Sequence, residues 1–464
     1  MNAIDLSPIA ETVCTTLGRW LSADPGDVAL GLRTIAVGSV CNVSCAVLGC
    51  YLVLRRMSLL GDAISHAILP GLVIGFLLTG SISIVPMFAG ALVFGMLTAF
   101  LTQTLQTYGR VSEDAGMGVV FTSLFALGVV LISGIGRMHL DKDCVFEGKI
   151  DLVAIDITEF AGLGVPLALG SLLPVLVMAV AFILLFWKEL KVASFDPMLA
   201  TSMGINATQI HYLLMGMVAG TTVAAFEAVG SILVVAMLIV PGATAHLLTD
   251  RLGWMILWSA VMGVLAAILG YIGAAYWNTS VAGMMAVAVG GQFLVVVIFA
   301  PRHGLLSKLV GNLELSLRIV AEDIVAALYR LEEQRTGSSE VDRATVDQAT
   351  WADCRGFADG SLLTRPAAMM LRLRGQLAFV SGGRVELTDA GRRLGNSLVR
   401  SHRLWETFLD RHFELPADHL HEPASRIEHF IGPALQEKLA RELDGSAVDP
   451  HGRSIPPLEQ DDTN

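Results

Sequence analysis

Nine windows of about 20 mostly apolar residues recur near 34–54, 62–79, 84–105, 114–134, 167–187, 208–226, 229–247, 253–273 and 281–300. At about 1.5 Å of rise per residue, each is long enough for a helix to cross a ~30 Å hydrocarbon core. Gly and Ala crowd these windows, as in "GMVAGTTVAAFEAVG" and "VAGMMAVAVGG", which lets helix backbones approach closely in lipid. The expected fold is therefore an all-α polytopic membrane bundle of about nine transmembrane helices over 31–300, preceded by an extramembrane segment 1–30.

Charge divides the chain in two. Residues 1–300 hold 28 of the 73 charged side chains, whereas 301–464 hold 45 in little more than half the length, so a soluble part follows the bundle. The six cysteines form no CxxC pair and no framework spacing. The N-terminus is acidic where a secretory signal would be basic, so no cleaved targeting peptide is expected. Arg55, Arg56, Arg110, Lys188, Lys191, Arg251, Arg302 and Lys308 fall in alternate loops, against Arg33, Arg137, Lys142 and Lys149 on the other side. Basic loops stay inside, which makes this a multi-pass protein of the cell (inner) membrane with a cytoplasmic C-terminal part.

In that part "EDIVAALYRLEEQ" spaces Ile324, Leu328 and Leu331 for a helix, and "NSLVRSHRLWETFLDRHF" does the same with Leu398, Leu404 and Phe408. Between them "RGQLAFVSGGRVELTDAGRRL" reads as two short β-prone runs around a turn, then a Thr-Asp helix start. The pattern is a winged helix-turn-helix with further helices over 321–456, after a linker at 301–320 and before a disordered tail at 457–464.

One window carries ionisable groups. "LLGDAISHAILPG" places Asp62 and His66 four residues apart, on one helix face and about 6 Å apart at the backbone. His66 lies about 15 Å beyond Arg56, near mid-membrane. An ionisable group there costs about 3 kcal/mol or more, and usually faces a cavity, a partner or an ion. A carboxylate and an imidazole suit a divalent cation such as manganese, zinc or ferrous iron; the alternative is an Asp–His hydrogen bond that only fixes helix packing. Glu227 near an outer span end reads equally well as a first contact for an arriving cation or as an interface carboxylate reaching water, while the outward loop residues His139, Asp141, Asp143 and Glu147 read by default as a charged, solvated loop. Cys41 and Cys45 read as bundle packing.

"LRRMSLLGDAISHAILPG" and "FEAVGSILVVAMLIVPGATAHLLTDRL", together with "VSEDAGMGVVFTSLFALGVVLIS" and "FDPMLATSMGIN", resemble the permease subunits of manganese, zinc and iron ABC transporters over residues 30 to 300. The resemblance implies that Asp62 and His66 line the metal path and that the divalent metal is cargo, with no permanently bound cofactor. It also implies a homodimer of permeases and an extracytoplasmic metal-binding protein as partners. No GxxxxGK[ST] phosphate loop occurs, so this transport subunit is expected not to be an enzyme itself and to rely on a separate ABC ATPase. The loop containing Phe195, Asp196 and Gly204, with helical potential around a capping-type Ser194, is the expected ATPase coupling contact; an ordinary connecting loop is the alternative.

The tail holds seven of the eleven histidines. His402 and Glu406 are at i, i+4, and His421 precedes the adjacent Glu428 and His429; imidazole and carboxylate at such spacing converge readily on a divalent metal. Residues 315–456, including "DPHGRSIP", resemble the metal-dependent repressors of the diphtheria-toxin-repressor type. By that resemblance His402, Glu406 and His421 form one regulatory site for manganese, iron or zinc, and Glu428, His429 and Asp323 belong to another. Ser425 and Ala326 stand where that family carries ligands, which implies a depleted second site. DNA is a doubtful partner, since 301–464 carries 20 basic against 25 acidic residues, although 341–400 has nine arginines against six acids. The rival to a permease is a membrane-anchored, metal-responsive DNA-binding regulator.

Overall fold

The computed structural model describes residues 25–57, 59–79, 84–134, 150–153, 155–160, 163–337, 362–380, 384–413, 416, 419–444 and 447–458. The chain forms two compact units, Met1–Ser307 and Lys308–Asn464.

The first unit is built from helices α1 (Pro25–Leu54), α2 (Leu59–Thr79), α3 (Ile84–Thr107) and α4 (Glu113–Gly134), then a hairpin of β1 (Ile157–Phe160) and β2 (Leu163–Pro166). It continues through α5 (Leu167–Leu185), the short α6 (Trp187–Phe195) and α7 (Pro197–Ser202), α8 (Ala207–Val229), α9 (Ser231–Leu248), α10 (Leu252–Trp277) and α11 (Val281–Phe299). Among the described residues eight of these helices are long and apolar enough to cross a membrane, and α9 adds a shorter apolar stretch, Leu233–Leu248. Each apolar window of the sequence falls on one of these nine. The first helix begins earlier than its window, at Pro25. The histidine and acidic loop 139–147 lies outside the described residues.

Small residues set the closest approach. Gly71 of α2 and Gly90 of α3 meet backbone to backbone, each where a Cβ would collide with the other's carbonyl group. Pro70 does not break α2, which runs through it; its ring packs against Gly128 of α4, where a Cβ would come within 2.9 Å of the proline. The β1–β2 hairpin pairs Ile157 with Pro166 and Phe160 with Leu163, a feature the apolar windows do not announce because each strand has only four residues.

The second unit opens on α12 (Leu305–Gly337), which starts two residues before the boundary at Ser307 and makes most of the expected 301–320 linker helical. Its Ala321, Ile324, Val325 and Leu328 are buried with Ala367 and Leu371 of α13 (Thr364–Leu373) and with Leu377, Val385 and Leu387 of the hairpin β3 (Leu377–Val380) and β4 (Arg384–Leu387). The strands are antiparallel, with Leu377 opposite Leu387. Thr388 then caps α14 (Asp389–His412), accepting the Gly391 amide at 3.2 Å, which is the expected Thr-Asp start. A second core joins Leu404 of α14 to Ile431 and to Leu439 and Leu443 at the end of α16 (Pro433–Glu442). Helix α15 (His421–Ile427) and a single 3-10 turn, Glu428–Phe430, lie before it in sequence.

Candidate functional site

Asp62 stands in the first turn of α2 and His66 one turn on. The i, i+4 spacing brings Asp62 Oδ1 to 3.4 Å from His66 Nε2, with the side chains 42% and 32% exposed. Ala63, Ile64, Ala67 and Ile68 are buried, so the helix gives its apolar face to the core and leaves the acid and the imidazole on the open one. The His66 ring lies 6.0 Å from Phe121 and 5.7 Å from Phe125 of α4, edge-on to the latter. Among the described residues neither polar group hydrogen-bonds to another helix. The pair keeps lone pairs unengaged by other helices among the described residues.

The cytoplasm-facing connection of the sequence reading folds into α6 and α7. Its cap is Asp196, not Ser194: Pro197 at the first helical position sets the boundary, and Asp196 Oδ1 accepts from Met198 N at 3.0 Å and Leu199 N at 2.9 Å. Ser194 is buried inside α6. Gly204 closes the element at φ +83°, with the Ile205 amide donating to the Ala200 carbonyl, a conformation that favours glycine. Asp196 and Gly204 thus shape the element, and Phe195 and Met198, 60% and 82% exposed, form its apolar tip.

In the second unit α14 carries His402 and Glu406 on its buried side, and α15 begins with the exposed His421. His402 Nε2 lies 2.9 Å from Glu406 Oε1 and 2.9 Å from His421 Nδ1, which is 3.1 Å from the same carboxylate oxygen. Three potential ligand atoms converge, and His421 opens the group to solvent. Burial pulls the His402 imidazole down, but Glu406 and Glu428 outweigh it and hold its pKa above the ordinary value. Burial raises the Glu406 carboxyl, and His402, with His421 and His451, more than reverses this, holding it at about 2.

The second predicted set also converges. Asp323, Glu428 and His429 offer ligand atoms within 4.8 Å of one another. Its chemistry differs, however: His429 Nδ1 is 2.9 Å from Glu322 Oε2 and Nε2 is 3.3 Å from Asp323 Oδ1. Those carboxylates outweigh burial and lift His429 to about 9, so at neutral pH a proton fills this set and balances its charge. Glu428 is engaged besides, 2.5 Å from His402 Nδ1 and 3.4 Å from Arg330. Ser425 turns away, its hydroxyl donating to the Glu422 carbonyl, and Ala326 is buried.

Sequence spacing missed three contributors. Glu322 touches His429 from 107 positions away. Asp449 and His451, in the "DPHGRSIP" tail, fold back to form a third group with Glu406 within 4.8 Å. The tail is held by Arg403, which grips Glu333 and the Ser454 carbonyl, and by Arg400 on the Pro456 carbonyl.

Comparison with known proteins agrees with this division. A model of the ABC 3 transport family matches residues 29–300, and a model of the iron dependent repressor, metal binding and dimerisation domain matches residues 388–457. The manganese transport system membrane protein MntD of Bacillus subtilis is 47% identical over 283 residues, 61% of this chain and 96% of that protein. The zinc transport system membrane protein TroD of Treponema pallidum is 38% identical over 308 residues, covering 66% of this chain and 84% of that one. Among solved structures, PsaBC from Streptococcus pneumoniae in complex with Fab superposes with a TM-score of 0.50 at 32% identity, over 59% of this chain and 92% of that chain.

Proposed function

This chain belongs to the ABC 3 transport family, and we propose that it is the membrane-spanning permease subunit of an importer for manganese, zinc or ferrous iron. The observation that carries the reading is the Asp62–His66 pair, one oxygen and one nitrogen donor on the open face of a membrane helix. A half-hydrated divalent cation gains ligands there in place of water, and binding that is neither bulky nor fully enclosed lets it leave again. Manganese, zinc and iron share these ligands, so selectivity rests on geometry and availability. Energy comes from a separate ABC ATPase that docks on the α6–α7 tip, cargo comes from an extracytoplasmic metal-binding protein, and two copies of the chain enclose the path. Initial uptake of each of the three ions, in cells carrying this chain with its ATPase, tests the reading; equal uptake with and without the chain for all three refutes it.

The second unit is read as a cytoplasmic metal-sensing module on a winged-helix frame. The match over 388–457 and the converging donors support it: His402, Glu406 and His421 would hold a regulatory manganese, iron or zinc ion, which supplies charge and cross-links α14 to α15. The balance of 25 acidic to 20 basic residues favours regulation of the transporter over DNA binding.

The coupling element yields its own expectation. Phe195→Ala removes apolar area from the tip and lowers ATPase stimulation at unchanged membrane insertion. Asp196→Ala removes the cap, costs about 1 kcal/mol of local helix stability, and gives the same loss by loosening α7. Co-purification with the ATPase and its turnover rate check both; wild-type values in both variants would move the contact elsewhere.

A further inference from the structure

Arg55 immediately follows α1, in the four-residue connection that leads into α2. Its Nε donates to Ser194 Oγ at 3.1 Å, on the buried side of α6, and its Nη1 donates to His211 Nδ1 at 3.2 Å, near the start of α8. Arginine only donates, so His211 Nδ1 is the unprotonated nitrogen of its ring. Among the described residues the remaining Nη2 is buried without a hydrogen-bond partner and no carboxylate forms an ion pair with the group. Burial lowers the guanidinium to about 10.

A guanidinium held this way is a poor packing choice. Two neutral acceptors compensate a buried charge badly, and an apolar side chain of similar volume would fill the corner at lower cost. Positions that break a local rule without a packing gain are where function is found. The placement says which function. Ser194 lies two residues before Asp196, the cap of α7, so Arg55 grips the stem of the element whose tip is exposed. On its other side the connection is stiff: Arg56 sits at φ 60°, the Met57 amide donates to the Leu52 carbonyl at 2.9 Å, and the Leu60 amide donates to the Met57 carbonyl at 3.2 Å. Asp62 is two residues further on, in the first turn of α2.

We propose that Arg55 is a positioning residue that transmits displacement of the α6–α7 element to α2, the helix that carries Asp62 and His66. The inference rests on the permease reading, in which α6–α7 receives the ATPase. Displacement reaches a distant site through contiguous packed or hydrogen-bonded groups, and here one side chain bridges three segments: the end of α1, α6 and α8. The charge matters less than the fork, since two separate acceptors on two elements must be held at once; lysine has the charge without the fork.

The test uses the complete transporter, permease with its ATPase and binding protein, in proteoliposomes supplied with manganese, and reads ATP hydrolysed per ion delivered. In Arg55→Gln, assembly and hydrolysis stay within about twofold of wild type while the ratio rises about tenfold, the scale of losing hydrogen bonds to a charged group. Arg55→Lys recovers part of the loss, and Ser194→Ala, which removes one acceptor only, gives a smaller rise in the same direction. Uptake and hydrolysis falling in proportion in these variants, or an unchanged ratio, overturns the inference. Phe195→Ala separates the two levels: if it disturbs ATPase stimulation while Arg55→Gln leaves the ratio unchanged, Arg55 alone is misassigned. If stimulation survives Phe195→Ala, the docking element itself is misassigned and the inference falls with it.

Discussion

Replacing Asp62 or His66 with alanine is expected to abolish metal uptake while the protein inserts and assembles normally. The two residues are the donors of one helix face, and even groups that merely support a metal ligand are worth about 10- to 100-fold in metal affinity. Loss of a donor itself should therefore cost about a hundredfold or more in initial uptake rate. Folding is spared because neither polar group hydrogen-bonds to another helix among the described residues: the apolar contacts of Ile64, Ala67 and Ile68 and the Gly71–Gly90 approach hold the helix in place. His66→Ala also removes the ring against Phe121 and Phe125, so His66→Gln, which keeps more of the volume, is the cleaner comparison. Uptake of radioactive manganese, with surface expression measured in parallel, checks both. Undiminished uptake in the single variants would remove the pair from the path.

The second large effect is expected in the soluble unit. Calorimetry on residues 301–464 at pH 7 should show one divalent cation bound, and none in His402→Ala, because His402, Glu406 and His421 converge with His421 open to solvent, so an entering ion can displace the proton that Glu406 and Glu428 favour on His402, whereas His429, lifted to about 9, keeps its proton and closes the second set. As pH rises toward about 9, the lifted pKa of His429, that proton leaves and a second ion binds, its affinity climbing about tenfold per pH unit because one proton is displaced per ion. The sign of the stability effect follows from the same group. His429 is raised from an ordinary value of about 6.5, so its stabilisation of the metal-free unit is complete below pH 6.5 and is lost as pH rises through about 9. The thermal midpoint of the metal-free fragment should therefore fall between pH 7 and 9, and saturating metal should oppose the fall. In the full transporter, removing residues 308–464 should leave uptake active and blunt its response to internal metal, since only an ion that binds two transporter states with different affinity can shift them. A fragment that binds no metal at either pH would make the unit structural only.

Features that follow helix periodicity were legible in the sequence. Apolar windows located the nine helices, eight of them long and apolar enough among the described residues to cross a bilayer, because the signal rests on length and composition alone. Asp62 with His66, and His402 with Glu406, were legible because i, i+4 neighbours meet whatever surrounds the helix. Contacts made by chain return were not. Glu322 sits beside the residue that was noticed, Asp323, but its partner His429 comes from the turn after α15. Asp449 and His451 lie in a tail without periodicity, brought to Glu406 by arginines of α14. Arg55 read only as one of the charges that orient the bundle, because nothing near it in sequence reveals that residues 194 and 211 enclose it. The stretch 301–320 read as a linker because composition changes there, although "LLSKLVGNLELSLRIV" contains no proline and continues as helix.

Whether a transported cation sits against Asp62 and His66 can be read from pulsed electron paramagnetic resonance of manganese trapped in the reconstituted transporter. A truncated chain without residues 308–464 keeps the histidines of the soluble unit from contributing. Nitrogen modulation from an imidazole bound to the ion is expected in the truncated wild-type sequence and is lost in His66→Gln. Manganese that shows no nitrogen modulation, or modulation that persists in His66→Gln, would contradict this placement of the cation.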